Sequence, residues 1–173
     1  MNITETISNF PEFAKDIKLN YSKILNEGIL ESSLLYSVIL ISSIATKCDV
    51  LINAAYEESK SYVTEEIIQD IKGAYAIMSM NAIYYRFTHL TNEQSYSSMP
   101  ANLRMQYMSK HKISKSDFEL LCLAVAILMG CGKCINAHEA VLRENNVENI
   151  KIQTVARIVS IINSMANILE VKS

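Results

Sequence analysis

Helix breakers are scarce in this chain, and their scarcity restricts it to long helical runs: two prolines and four glycines interrupt 173 residues. Between them Ala, Ile, Leu, Met, Glu and Lys are plentiful, a mix that favours helix over strand. An all-α helical bundle is expected. A chain of this size buries roughly 70% of its unfolded surface, which suits one domain over 1–173.

The breakers and caps divide the chain. Pro11 opens a helix with Phe13, Ile17 and Ile24 as its apolar stripe, ending near Asn26-Glu27-Gly28. Glu31 to Thr46 is almost unbrokenly apolar or small, which at that length suits a buried helix. Asp49 to Ser59 follows, and then Thr64 caps a long helix running towards Tyr85. Thr88 to Pro100 reads as a loop, and Pro100 as the start of a short helix over Leu103 to Lys110. Ser114 to Asp117 resembles a capping box opening a helix to Met129, stopped at Gly130. Helices over 131–144 and 148–170 complete the chain.

The order long apolar helix, short helix, turn, long helix occurs twice. The copies, about 31–88 and 114–171, superpose at an offset of 83 residues, anchored by Ile52-Asn53-Ala54 against Ile135-Asn136-Ala137. A duplicated helical unit is expected. In that register Cys48 falls on Cys131, Leu51 on Cys134, Ala55 on His138 and Tyr36 on Glu119. The first copy keeps one cysteine and replaces the other reactive groups by side chains that pack.

Those replaced positions carry the chemistry of the second copy. At a helix start, the i, i+3 spacing of Cys131 and Cys134 brings two sulfurs within disulfide reach, and i, i+4 stacks His138 over Cys134. Unpaired N–H groups and the macrodipole favour a thiolate at Cys131. Cys134, a turn deeper, would depend on His138 as a base. Glu119 is the candidate carboxylate to orient that imidazole, since Phe118, Leu120 and Leu121 around it are apolar.

Zinc is disfavoured, because no second CxxC or HxxxH exists and the pair lies within a helix rather than a knuckle. Haem attachment requires His where Ile135 stands. Cys48 and Cys122, among Leu, Ile and Val, read as inert core, and Met78, Met80, Met129 and Met165 as core filler. His89 and His111 read as solvated loop residues, and Lys133 as exposed. A net charge of −2 gives no footprint for nucleic acid or an anionic membrane. No apolar run reaches the roughly 18 residues of a span, and Met1 to Thr6 lacks the regions of a secretion signal. The expectation is a cytoplasmic protein with no metal and no bound cofactor.

The chain resembles the alkylhydroperoxidase D (AhpD) family, within the wider carboxymuconolactone decarboxylase-like superfamily. The likeness rests on Glu119 with Cys131-x-x-Cys134-x-x-x-His138, and on the segments Pro11 to Asn20, Ala76 to Asn81, Tyr85-Arg86 and Phe118-Glu119-Leu120. It implies a helical subunit assembling as a homotrimer and a thiol peroxidase, alkyl hydroperoxide reductase function in the response to oxidative stress. It implies that dihydrolipoamide, carried as a lipoyl group on an acyltransferase, reduces the CxxC disulfide, and that the dithiol passes electrons to hydroperoxides or to a partner peroxiredoxin, AhpC. Carried over by residue, Cys134 is deprotonated through Glu119 and His138, and Cys131 closes the disulfide; the helix-dipole argument instead makes Cys131 the more acidic thiol.

The chain departs from the family at Lys133, where some members have histidine, and at Leu121-Cys122, which replace a bulkier or unreactive pair. These departures bear on rate and reductant preference. A rival enzyme reading is a carboxymuconolactone decarboxylase-like lactone decarboxylase whose cysteines have no redox role. A third is a non-enzymatic adaptor or metal-binding module that uses exposed helix surface.

Overall fold

The computed structural model describes residues 1–171, all of whose regular structure is helical: α1 (Ile3–Ile7), α2 (Lys15–Asn26), α3 (Ser32–Thr46), α4 (Asp49–Ser59), α5 (Glu65–Leu90), α6 (Ser95–Ser98), α7 (Lys115–Leu128), α8 (Gly132–Glu144) and α9 (Asn149–Glu170). The two helices most apolar on every face, α3 and α7, form the centre. Val38, Ile39, Leu40 and Ile41 of α3 and Leu121, Cys122, Ala124, Val125 and Ala126 of α7 have no solvent exposure. Both pack on α5 and α9, and each also packs on the short helix that follows it.

Helix α9 is long and apolar enough to cross a membrane, although polar residues interrupt its apolar run. Its buried face, with Val155, Ile158, Val159, Ile162 and Met165, packs instead against α3 and α7.

Elements of the two copies start within one residue of positions 83 apart. Their first corners match closely. Lys47 and Gly130 hold left-handed φ of 63° and 65°, a region costly for a lysine and free for glycine. The next residues, Cys48 (φ −84°, ψ 105°) and Cys131 (φ −94°, ψ 91°), both cap the following helix.

Several boundaries differ from expectation. A 3₁₀ turn over Glu12–Ala14 precedes α2 and throws Phe13 out of register, leaving it 80% exposed; Ala14, Ile17, Tyr21 and Ile24 make the inward stripe instead. Helix α5 runs on to Leu90, so His89 lies in its last turn, and α6 interrupts the expected loop. The helix expected over 103–110 shrinks to a 3₁₀ turn, Gln106–Ser109, preceded by a left-handed φ of 53° at Asn102. Side-chain anchors hold this segment. Buried Asp70 of α5 accepts hydrogen bonds from the Tyr107 hydroxyl (3.0 Å) and from the Lys112 (2.7 Å) and Ile113 (2.9 Å) amides. The Tyr107 ring lies so close to Gly73 that a Cβ there would clash with it. His111 is half-buried and stacked on Phe118 at 4.2 Å, rather than solvated.

Candidate active site

The turn between α7 and α8 delivers Cys131. Gly130 ends α7 in a Schellman motif, in which the Cys131 amide donates to the Ala126 carbonyl (3.1 Å) and the Gly130 amide to that of Ile127 (3.0 Å). Arg86 of α5 donates to the Met129 carbonyl at 2.7 Å and ties the same corner down. Cys131 thereby becomes the N-cap of α8, one position before the first turn, and its Sγ accepts from the Cys134 amide at 3.3 Å. This is the place where helix N–H groups favour an anion most directly.

All four cysteines are free thiols and all are buried. Cys134, 5% exposed, faces α5, where its Sγ donates to the Asn81 carbonyl at 3.9 Å. Burial pushes its thiol up from 9.0 to about 12, helped by the neighbouring Cys131 sulfur and opposed by the Lys133 charge. The resting Cys134 is a protonated thiol, and a reaction at its sulfur requires a base.

One turn on, His138 Nδ1 meets Glu119 Oε2 at 2.6 Å, with both side chains 11% exposed. An ionised carboxylate only accepts, so Nδ1 is the donor and Nε2 is the nitrogen left to act as a base. Glu119 comes from α7 and His138 from α8, so the close packing of those helices sets the pair. Met78, Asn81, Tyr85, Lys133, Cys134, Ala137 and His138 line a cavity of about 230 Å³.

The other expectations divide. Cys48 and Cys122 are fully buried, and burial raises both thiols. Lys133 is half-buried, with its ammonium 5.4 Å from the Tyr85 ring centre, rather than exposed. His89 is exposed beside the start of α8, where a Cβ on Gly132 would stand 4.0 Å from its Nε2. Among the described residues no three His, Cys, Asp or Glu side chains are grouped to hold a metal ion. In the first copy Leu51 and Ala55 have no exposure, and Tyr36 stacks on Tyr62 at 4.0 Å.

The roles of Asn81, Tyr85, Ala137 and Arg86 do not emerge from the spacing argument. The available signal is Asn81 itself, a buried polar residue on the α5 face that also buries Ala74, Met78 and Ala82.

An all-helical fold and a buried CxxC pair beside a carboxylate–imidazole pair define the class: a helical dithiol protein. The Carboxymuconolactone decarboxylase family matches residues 95–172. Alkyl hydroperoxide reductase AhpD of Brucella anthropi is 42% identical over 170 residues, covering 98% of this chain and 97% of that protein. AhpD of Acidobacterium capsulatum is 39% identical over 98% of this chain and 93% of its own length. AhpD of Solibacter usitatus is 37% identical over 100% and 98%, respectively. The chain belongs to the AhpD family.

Proposed function

We propose that the chain is an alkyl hydroperoxide reductase in which Cys131 and Cys134 cycle between dithiol and disulfide. The observation that carries this reading is the buried 2.6 Å contact between His138 and Glu119, beside a cavity that His138 shares with Cys134.

His138 Nε2 takes the Cys134 proton, and Glu119 stabilises the imidazolium that forms. The sulfur attacks the terminal oxygen of ROOH, the O–O bond breaks, and the leaving RO⁻ takes a proton from the imidazolium to give ROH. Cys134 is then a sulfenic acid, which the Cys131 thiol condenses to a disulfide with release of water. Two thiols are oxidised and the peroxide is reduced by two electrons.

The reductant in this reading is a protein-bound dihydrolipoamide, which restores the dithiol by exchange. The electron acceptor is a hydroperoxide, the peroxiredoxin AhpC, or both. A cytoplasmic homotrimer is the form proposed; Ile83, Phe87 and Leu90, exposed at i, i+4, i+7 on α5, support an assembly. The matching corners at Cys48 and Cys131 support a single domain that arose by duplication, with one reactive and one packed copy.

A coupled NADH assay with lipoamide, its reductase and an organic hydroperoxide tests the reading. Turnover that Cys134→Ser abolishes supports it, whereas undiminished turnover of the variant contradicts it. The match to the Carboxymuconolactone decarboxylase family also favours a second reading. In this lactone decarboxylase the thiols have no redox part, and peroxide leaves the thiol count unchanged.

A further inference from the structure

Two buried side-chain oxygens lack a hydrogen-bond partner among the described residues, Thr154 Oγ1 and Asn81 Oδ1. Of the two, only Asn81 lines the cavity beside Cys134 and His138. Leaving a buried acceptor unsatisfied is destabilising, so a persistent one needs an explanation in terms of what reaches it.

The amide has a defined orientation. Asn81 Nδ2 donates to the Met105 sulfur at 3.0 Å, and a thioether only accepts, so the NH₂ end is fixed on Met105 and the oxygen is the end left over. Met105 lies just before the 3₁₀ turn of the segment that Asp70 anchors. The Asn81 main chain is placed as well, its carbonyl being the acceptor for Cys134 Sγ. One residue thus contacts the reactive sulfur through its backbone, lines the same cavity, and carries a buried acceptor that no group among the described residues satisfies.

We propose that Asn81 Oδ1 accepts a hydrogen bond from the terminal O–H of the substrate hydroperoxide, holding that oxygen towards Cys134 Sγ. This rests on the peroxidase reading above. In ROOH the terminal oxygen is the one the sulfur attacks, and its own proton is not transferred in the step. That proton remains as the sulfenic O–H while His138 supplies the proton for RO⁻, so a group that only accepts suits the position. Asn81 binds and orients substrate, His138 moves the proton, and Met105 is a positioning residue that acts through Asn81.

The test measures oxidation of Cys134 in the pre-reduced full-length protein by tert-butyl hydroperoxide, and in parallel its thiolation by methyl methanethiosulfonate. The second reagent reacts with the same sulfur but carries no hydrogen-bond donor. Asn81→Leu is expected to slow the hydroperoxide reaction about tenfold or more, the loss of one hydrogen bond at roughly 1.4 kcal/mol per decade, and to leave the thiosulfonate reaction within about twofold. Met105→Leu, which frees the amide to turn without removing it, is expected to produce a smaller loss with the same selectivity. An equal slowing of both reagents, or no slowing of either, overturns the assignment. If Asn81→Leu fails to fold, Met105→Leu decides alone by the same comparison. A wild-type dithiol inert to the hydroperoxide but reactive with the thiosulfonate overturns direct hydroperoxide reduction, the part of the reading above on which this proposal rests, and the proposal with it, whereas a reactive wild type with an unselective Asn81→Leu overturns this proposal alone.

Discussion

Glu119→Gln isolates the charge of the relay, because glutamine preserves the shape of the side chain and can still accept from His138 Nδ1. In the native pair the carboxylate stands 2.6 Å from the imidazole, and each side chain is 11% exposed, so water screens the contact poorly. Two unit charges about 4 Å apart interact by roughly 4 kcal/mol at an effective dielectric constant near 20. A hydrogen bond to a charged group exceeds a neutral one by about 1–2 kcal/mol. The imidazolium formed when Cys134 gives up its proton therefore loses about 2–4 kcal/mol of stabilisation, which corresponds to a rate loss of roughly 30- to 700-fold. Stopped-flow oxidation of the pre-reduced protein by cumene hydroperoxide reads this directly, and far-UV circular dichroism verifies that the variant is folded. A folded Glu119→Gln within about threefold of wild type would refute the relay.

Other perturbations probe the fold beneath the site. Burial holds the Cys134 thiol protonated up to about 12 from 9.0, and raises Cys122 as well. Between those values the folded chain keeps protons that the unfolded chain releases. The contribution of the buried thiol to stability is therefore complete below about pH 9.0 and is lost as the pH rises through about 12; urea midpoints across that range should fall less steeply in Cys134→Ala. Asp70→Ala leaves three donors without their buried acceptor, at an expected loss of about 3–5 kcal/mol, measurable as a Tm lowered by about 10 °C. Leu51→Cys, in a background of Cys131→Ser and Cys134→Ser, places a CxxC on the matching corner of the first copy. An oxidant should close a disulfide between Cys48 and the introduced thiol, at a packing loss of about 1–2 kcal/mol. Peroxide turnover should nevertheless be absent, because Tyr36 and Ala55 occupy the carboxylate and imidazole positions; turnover there would show that Glu119 and His138 are dispensable.

Most of the helical frame is legible in the sequence because its signals are local. Thr64 and Ser114 bond the amides of Ile67 and Asp117 as caps, and the long apolar stretches of α3 and α7 admit little but a buried helix. Local pattern fails where tertiary contacts govern. Phe13 has the spacing of a core residue, but a 3₁₀ turn directs it outward. The segment after Pro100 has helical composition, yet Asp70, far earlier in the chain, fixes it in another shape. The spacing of Cys131, Cys134 and His138 is a property of one helix and can be read directly. The cavity beside Cys134 and His138 is not, since its other wall comes from α5, and only the folded chain brings Asn81 and Tyr85 opposite them.

Counting and locating thiols tests the central claim most directly. The reduced chain holds four free cysteines. One equivalent of an organic hydroperoxide should remove two of them, peptide mapping should place the new disulfide between Cys131 and Cys134, and dihydrolipoamide should restore both while Cys48 and Cys122 remain unmodified. An unchanged thiol count, or a loss confined to Cys48 and Cys122, would contradict reduction of hydroperoxides by the Cys131–Cys134 dithiol.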